Sequence, residues 1–293
     1  MNLCHLSIRE TKKLYNTMKI AQELGIKIQE ETLTELMLID LKSTIQDMGL
    51  NTVIKHCNKS DEFKLGSDFL WFIGSNKKKS WVAFYIQAKK LREDQKYFLK
   101  HNYKNKIGNE SAPIIKQVDR LIAAAEKSNL GKTVKHNAIP IYCFYNYLND
   151  ETLSEATYLK TFSHIPLKKE NFSLTYTSAY HIQSLLKKPY LKRSGTTRNT
   201  FSFDEIKGLP IYTLFCRKNK DKSLAENLST TYTNHYQELF PYTGRDLSLL
   251  FGEKYVFDEL PSYVESLIHN TKDTAEEYDR KDFPSYIMVT YED

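Results

Sequence analysis

"GSDFLWFIGSNKKKSWVAFYIQAKKL", residues 66–91, reads as two apolar strands joined by a basic turn. Side chains alternate across a strand. In the second strand Val82, Phe84, Ile86 and Ala88 share one face, all apolar, while Trp81, Ala83, Tyr85, Gln87 and Lys89 share the other. Polar groups on a buried strand cost free energy unless something pairs with them. Placing Gly74 opposite Trp81 leaves 75–80 as a six-residue turn and sets Asp68 opposite Gln87. Directly opposed Cβ atoms lie ~4.5–5.5 Å apart. Asp68, Gln87 and Lys89 are therefore expected as one polar cluster at the open end of the hairpin. A one-residue slip would send Asp68 to the wrong face.

Outward from the hairpin, residues 7–24 read as an amphipathic helix ending at Gly25. Residues 32–48 read as a second, with Thr32 and Glu35 as a capping box and Leu33, Leu36, Met37, Leu41, Ile45 and Met48 as its apolar stripe. After the hairpin, residues 113–128 open on Pro113 and carry Ile114, Val118, Leu121, Ile122 and Ala125 at helical spacing. Residues 138–148 read as a strand, 172–186 as a strand running into a helix, and 209–216 as another strand. Helical pieces follow near 223–240 and 261–269, and residues 284–293 end on a strand. The order predicts an α/β fold, a mixed sheet with an antiparallel hairpin flanked by helices.

The 293 residues suffice for one large domain or a domain with an appended part. At 41% apolar and 13% aromatic the composition is that of a globular chain, not a disordered one. The N-terminus has no apolar signal region, and no run approaches the ~18–20 apolar residues of a membrane span. No membrane partner is expected. Cys4, Cys57, Cys143 and Cys216 are scattered without a CxxC pair. They read as reduced thiols, which implies a cytoplasmic protein. The net charge of +6 is uneven: residues 221–293 hold 6 Lys and Arg against 15 Asp and Glu, a net of −9, leaving +15 on residues 1–220. The expected organisation is a basic core, 1–220, with an acidic part, 221–293, packed on it or merged with it in a single domain. A basic body suits an anionic partner such as nucleic acid, although solvated lysines also account for it.

A carboxylate and an amide oxygen held together can coordinate a hard cation such as Mg²⁺ (or Mn²⁺). A neighbouring Lys can orient a water and stabilise charge developing on a phosphate. Asp68, Gln87 and Lys89 are thus the parts that metal-dependent phosphodiester hydrolysis needs. The alternatives are a turn acid at Asp68, a backbone-bonded strand-end amide at Gln87 and a solvated Lys89.

This pattern resembles the PD-(D/E)XK, restriction-endonuclease-like nucleases, which carry an Asp on one strand and (D/E)-x-K on the next. Asp68 with Gln87-Ala88-Lys89 matches their Q-x-K variant. The resemblance implies Asp68, Gln87 and the Ala88 carbonyl as metal ligands, with Lys89 positioning the attacking water. It also implies a glutamate from the helix before the hairpin. Residues 30–41 offer Glu30, Glu31 and Glu35. Glu35 has its capping alternative, so Glu31 is the expected ligand; a helix starting one turn earlier would put Glu31 and Glu35 on one face. Motifs across residues 30–147 are similar to a little-characterised bacterial family of predicted nucleases, and some nucleases of the superfamily act in anti-phage defence. A Mg²⁺-dependent endonuclease on DNA, ahead of RNA, is the function this implies, with room for a defence partner protein or a homodimer. A degenerate nucleic-acid- or protein-binding module and an RNase toxin are the alternatives. The chain departs from the family pattern in lacking a Pro before Asp68 and in its Gln87.

Gln117, on the following helix, is expected to support the site or to be a solvated amide. Lys187, Lys188, Lys192, Arg193 and Arg198, interleaved with Tyr190 and Phe201, read as a loop that tracks phosphates or as a solvated one. Lys77, Lys78 and Lys79 read as a solvated turn. "GKT" at 131–133 is no P-loop, because Glu126 stands where the first Gly belongs. The eight histidines lack zinc spacing, and His181 reads as an interior residue.

Overall fold

The computed structural model describes residues 3–46, 50–57, 65–100, 102–103, 115–131, 134–187, 198–216, 219–240, 255–269 and 283–292. Its strands are β1 (Asn51–His56), β2 (Phe69–Ser75), β3 (Ser80–Lys90), β4 (Lys96–Phe98), β5 (Asn102–Tyr103), β6 (Ile115–Lys116), β7 (Ile139–Tyr145), β8 (Leu174–Ser178), β9 (Thr200–Ser202), β10 (Leu209–Pro210) and β11 (Tyr286–Tyr291). Its α-helices are α1 (Leu3–Glu23), α2 (Glu30–Gln46), α3 (Gln117–Glu126), α4 (Asp150–Ser154), α5 (Ala179–Lys187), α6 (Phe203–Ile206), α7 (Thr213–Cys216), α8 (Leu224–Leu239) and α9 (Ser262–His269). One seven-stranded mixed sheet runs β1-β11-β2-β3-β7-β8-β10, and β4 with β9 and β5 with β6 form two small pairs.

The hairpin forms in the register its pattern predicts. Phe69 faces Ile86, Phe72 faces Ala83 and Gly74 faces Trp81. Ser75 and Ser80 add one more rung, so the turn is the four residues Asn76–Lys79 rather than six. The sheet continues on both sides of the hairpin: β11 runs parallel to β2, and β7 runs parallel to β3. Strand β3 is consequently buried on both faces from Ser80 to Lys89. Parallel strands need a crossover, and α3 lies in the connection from β3 to β7 and packs on both. Gly74 has no room for a side chain, since a Cβ there would lie 2.2 Å from the Ser80 carbonyl.

Several elements depart from the sequence reading. The acidic C-terminal part contributes to the main sheet, as the single-domain alternative allows. Strand β11 sits between β1 and β2, and α8 packs on β2 and β3. The boundary near residue 220 is one of charge, not of the sheet. Residues 209–216 form only a two-residue strand, Leu209–Pro210; the Ile211 N–H makes one more bond, to the Leu174 carbonyl (3.0 Å), before the chain leaves the sheet. Thr213 Oγ1 then donates to the Pro210 carbonyl (2.7 Å) as the chain turns into α7. Helix α3 starts at Gln117, since Ile115 and Lys116 are used in pairing with β5. Helix α2 starts at Glu30, so Thr32 lies in its first turn and caps nothing. Leu36 is exposed on α2 and Leu38 is buried instead; Met48 lies outside the described residues.

Cys4 and Cys216 are joined by a disulfide that ties the start of α1 to the end of α7, with 212 residues between them in sequence. The expectation of four reduced thiols fails here because the two distant segments meet in space, which spacing alone does not reveal. Cys57 and Cys143 are free. Among the described residues no helix is long and apolar enough to cross a membrane.

Candidate active site

Asp68 stands immediately before β2, pinned between two strands. Its N–H donates to the Ile86 carbonyl (2.8 Å), and its own carbonyl accepts from the Tyr286 N–H (3.2 Å). Gly66, two residues earlier, adopts a left-handed φ of 68° and abuts α3, where an added Cβ would lie 2.5 Å from the Gln117 carbonyl. The short loop therefore fixes Asp68 against both the hairpin and the helix.

The polar cluster forms as expected. Asp68 Oδ2 accepts from Gln87 Nε2 (2.6 Å) and from the Ala88 N–H (2.6 Å). Gln87 Nε2 also donates to the Ala88 carbonyl (3.0 Å). Gln117 Nε2 donates to Gln87 Oε1 (2.7 Å) from the first turn of α3. Gln117 is thus brought to the site, buried, and is not a solvated amide. Lys89 is 7% exposed, and its Nζ donates to Glu30 Oε1 at 3.0 Å. The second Glu30 oxygen accepts from the Lys90 N–H (2.9 Å), so one carboxylate grips two successive residues of β3. A buried ammonium is tolerated when it is paired in this way.

These groups line a cleft of about 400 Å³ together with Glu31, Glu35, Lys90, Arg92, Phe98 and Tyr286. Glu31 is exposed on the cleft wall, and Glu35 Oε1 accepts from the Tyr286 hydroxyl (3.0 Å). The helix glutamate that contacts the Lys is Glu30, the first residue of α2. Behind Asp68, burial raises the Cys143 thiol and the Tyr145 phenol well above their usual ranges, with the Asp68 charge adding to both. The floor under the carboxylate is therefore uncharged. Burial pulls the Lys90 ammonium down, and Lys27 adds to this; Glu93 and Glu30 oppose it. No sequence pattern marks Lys90, Arg92 or Phe98, although Lys90 directly follows the Gln87-Ala88-Lys89 motif and Arg92 comes two residues after Lys90.

The oxygen set fits a hard cation. The amide nitrogen of Gln87 sits within hydrogen-bond reach of both Asp68 Oδ2 and the Ala88 carbonyl, a position flanked by two oxygens. The amide carries its own oxygen on the same carbon, so a half turn offers a third. Among the described residues no group of three or more His, Cys, Asp or Glu gathers as a ligand set.

Other expected contacts lie elsewhere or go undescribed. Arg198 pairs with both oxygens of Glu205 and lies over the Phe201 ring, 5.1 Å from its centroid. It is held by the fold rather than presented by a solvated loop. Lys187 is exposed at the end of α5, and Lys188, Lys192 and Arg193 lie outside the described residues. Lys78 in the hairpin turn pairs with Glu292 (3.0 Å) at the exposed surface. His181 is an interior residue, bonded to the Glu205 carbonyl (2.8 Å) and stacked on Phe240.

No curated protein matches the chain. Residues 3–291 match a family of unknown function (DUF6615), and a match over nearly the whole length makes the chain a member of that family.

Proposed function

We propose that this protein is a Mg²⁺-dependent nuclease of the restriction-endonuclease-like type, acting on DNA ahead of RNA. The observation that carries this reading is the meeting of Asp68, Gln87, Lys89 and Glu30 in one cleft, with Asp68 and Gln87 in contact across the hairpin. Asp68, the Ala88 carbonyl and Gln87 would hold the cation, and Glu31 faces the same cleft as a further carboxylate. When bound, a divalent cation neutralises a phosphate oxygen and makes its water more acidic. Lys89 Nζ donates hydrogen bonds to the attacking water and to the phosphate. Glu30 fixes the direction of that Nζ. Lys90 and Arg92, on the cleft wall, bind the flanking phosphates, and the partly exposed Phe98 offers a ring for a base to stack on.

The test is cleavage of end-labelled DNA and RNA by the purified protein with Mg²⁺ or Mn²⁺, beside Asp68→Asn and Lys89→Met. Cleavage that needs the cation and is lost in both variants supports the reading. Cleavage by either variant at the wild-type rate overturns it.

A second reading is a binding module on a degenerate nuclease fold. It is favoured by the hydrogen bonds that Asp68 Oδ2 already accepts and by the absence, among the described residues, of a group of three or more His, Cys, Asp or Glu that could hold a metal ion. Oligonucleotide binding that persists without cation, with no cleavage of either polymer, would select it.

A further inference from the structure

We propose that Gln87 and Gln117 form a two-amide relay whose hydrogen-bond direction reverses when a divalent cation binds beside Asp68. The inference rests on the cation site of the reading above and assigns Gln117 as its positioning residue.

In the structure the relay runs one way. Gln117 Nε2 donates to Gln87 Oε1, and Gln87 Nε2 donates to Asp68 Oδ2 and the Ala88 carbonyl. The nitrogen, the positive end of the amide dipole, thus stands where the amide oxygen would have to stand to join Asp68 Oδ2 and the Ala88 carbonyl around a cation. Gln87 is 1% exposed and Gln117 5%, so neither amide can turn to water for a partner. A cation beside Asp68 repels N–H donors and needs oxygen. Gln87 can offer Oε1 only by a half turn, which swings Nε2 toward Gln117. That nitrogen then needs an acceptor, because a buried amide left without one is costly. A carboxamide carries an acceptor and a donor on one terminal carbon, so a matching half turn of Gln117 supplies Oε1. In the structure Gln117 Oε1 is buried without a hydrogen-bond partner; the half turn gives that oxygen the Gln87 Nε2 to accept from, and neither side chain changes charge.

The relay also accounts for an amide, rather than an acid, at position 87. A carboxylate there would face the Asp68 carboxylate across the hairpin, and like charges so close disfavour each other. An amide satisfies Asp68 while the cation is absent. Side-chain rotation is the only freedom Gln117 has in this, since its backbone carbonyl is packed against Gly66.

The experiment uses the intact protein. Titration calorimetry with Mn²⁺ gives the cation Kd, and ¹⁵N spectra of the glutamine side chains are followed through a Mg²⁺ titration. The Nε2 resonances of Gln87 and Gln117 are expected to shift together, with one midpoint. Gln117→Leu keeps the charge but removes the acceptor that the turned Gln87 needs, so Mn²⁺ binding should weaken about tenfold, equivalent to about 1.4 kcal/mol. Gln117→Glu, an acceptor, should restore it. If Gln117→Leu only lowers the melting temperature and leaves the Kd unchanged, the relay is wrong, and Asp68→Asn then decides the cation site separately. Loss of binding in Asp68→Asn would keep that site. If Gln117→Leu does not fold, stationary Gln117 resonances beside moving Gln87 resonances overturn the relay in the wild-type protein. No binding by the wild type overturns both the relay and the cation site.

Discussion

Lys89 pairs with Glu30 at 3.0 Å, while Glu31, the next residue of α2, is exposed on the wall of the same cleft. The two glutamates should therefore behave differently when neutralised. Glu30→Gln frees Lys89 Nζ from its fixed direction and should lower cleavage about 10²-fold or more, within the range of positioned proton-transfer groups. Glu31→Gln should leave the direction of Lys89 intact and affect the cation affinity instead. Single-turnover rates at saturating and limiting Mg²⁺ separate the two effects.

Gly66→Ala tests the loop that holds Asp68. The new Cβ would meet the Gln117 carbonyl at 2.5 Å, and the left-handed φ of 68° is unfavourable for alanine. A stability loss of about 1–3 kcal/mol is expected from backbone strain of this kind. Cleavage should fall beyond what the unfolded fraction explains, because the displaced loop carries Asp68. Urea denaturation beside an assay at a temperature where the variant stays folded gives both numbers.

The Cys4–Cys216 bond closes a long loop and should contribute about 2–5 kcal/mol by limiting the unfolded chain. Cys4→Ser, or reduction of the wild type, should lower the urea midpoint accordingly. Reduction of the Cys4→Ser variant should then change nothing further.

Glu205 gives a pH-dependent contribution. Burial raises its carboxyl, but the Ser202 N–H and the Arg198 guanidinium outweigh that and hold it below the usual range. A lowered folded-state pKa contributes stability above the unfolded-state pKa, and that stability is lost as pH falls through the folded value. Glu205→Gln should therefore cost about 1 kcal/mol at neutral pH, the figure for a half-exposed pair screened by solvent. The difference from wild type should shrink below about pH 4. Denaturation midpoints across pH 3–7 measure it.

Much of the site is legible in the sequence once Gly74 is placed opposite Trp81, a register that alternation alone does not fix, since β2 and β3 are buried on both faces. Asp68, Gln87 and Lys89 follow from that register. That Glu30 pairs with Lys89 does not, since it depends on where α2 begins, and Glu30 and Glu31 are both sound first-turn acids. Strand β1 escapes a pattern reading because its edge position leaves Asn51, Lys55 and His56 exposed among apolar residues. The place of β11 escapes for another reason. Its apolar run announces a buried strand, but pairing with β1 and β2 is set by the whole sheet and by no local signal. The disulfide is hidden likewise, since only the folded chain brings α1 beside α7.

The position of β11 has a consequence for the timing of synthesis. Asn51 pairs with Tyr291, and Tyr286 bonds to Asp68 through its backbone and to Glu35 through its hydroxyl. A nascent chain that has not yet delivered residues 286–291 lacks the strand joining β1 to β2, and the cleft lacks one wall. Contacts this distant along the chain form late. Ribosome-bound intermediates and prematurely terminated chains should therefore be without an assembled cleft.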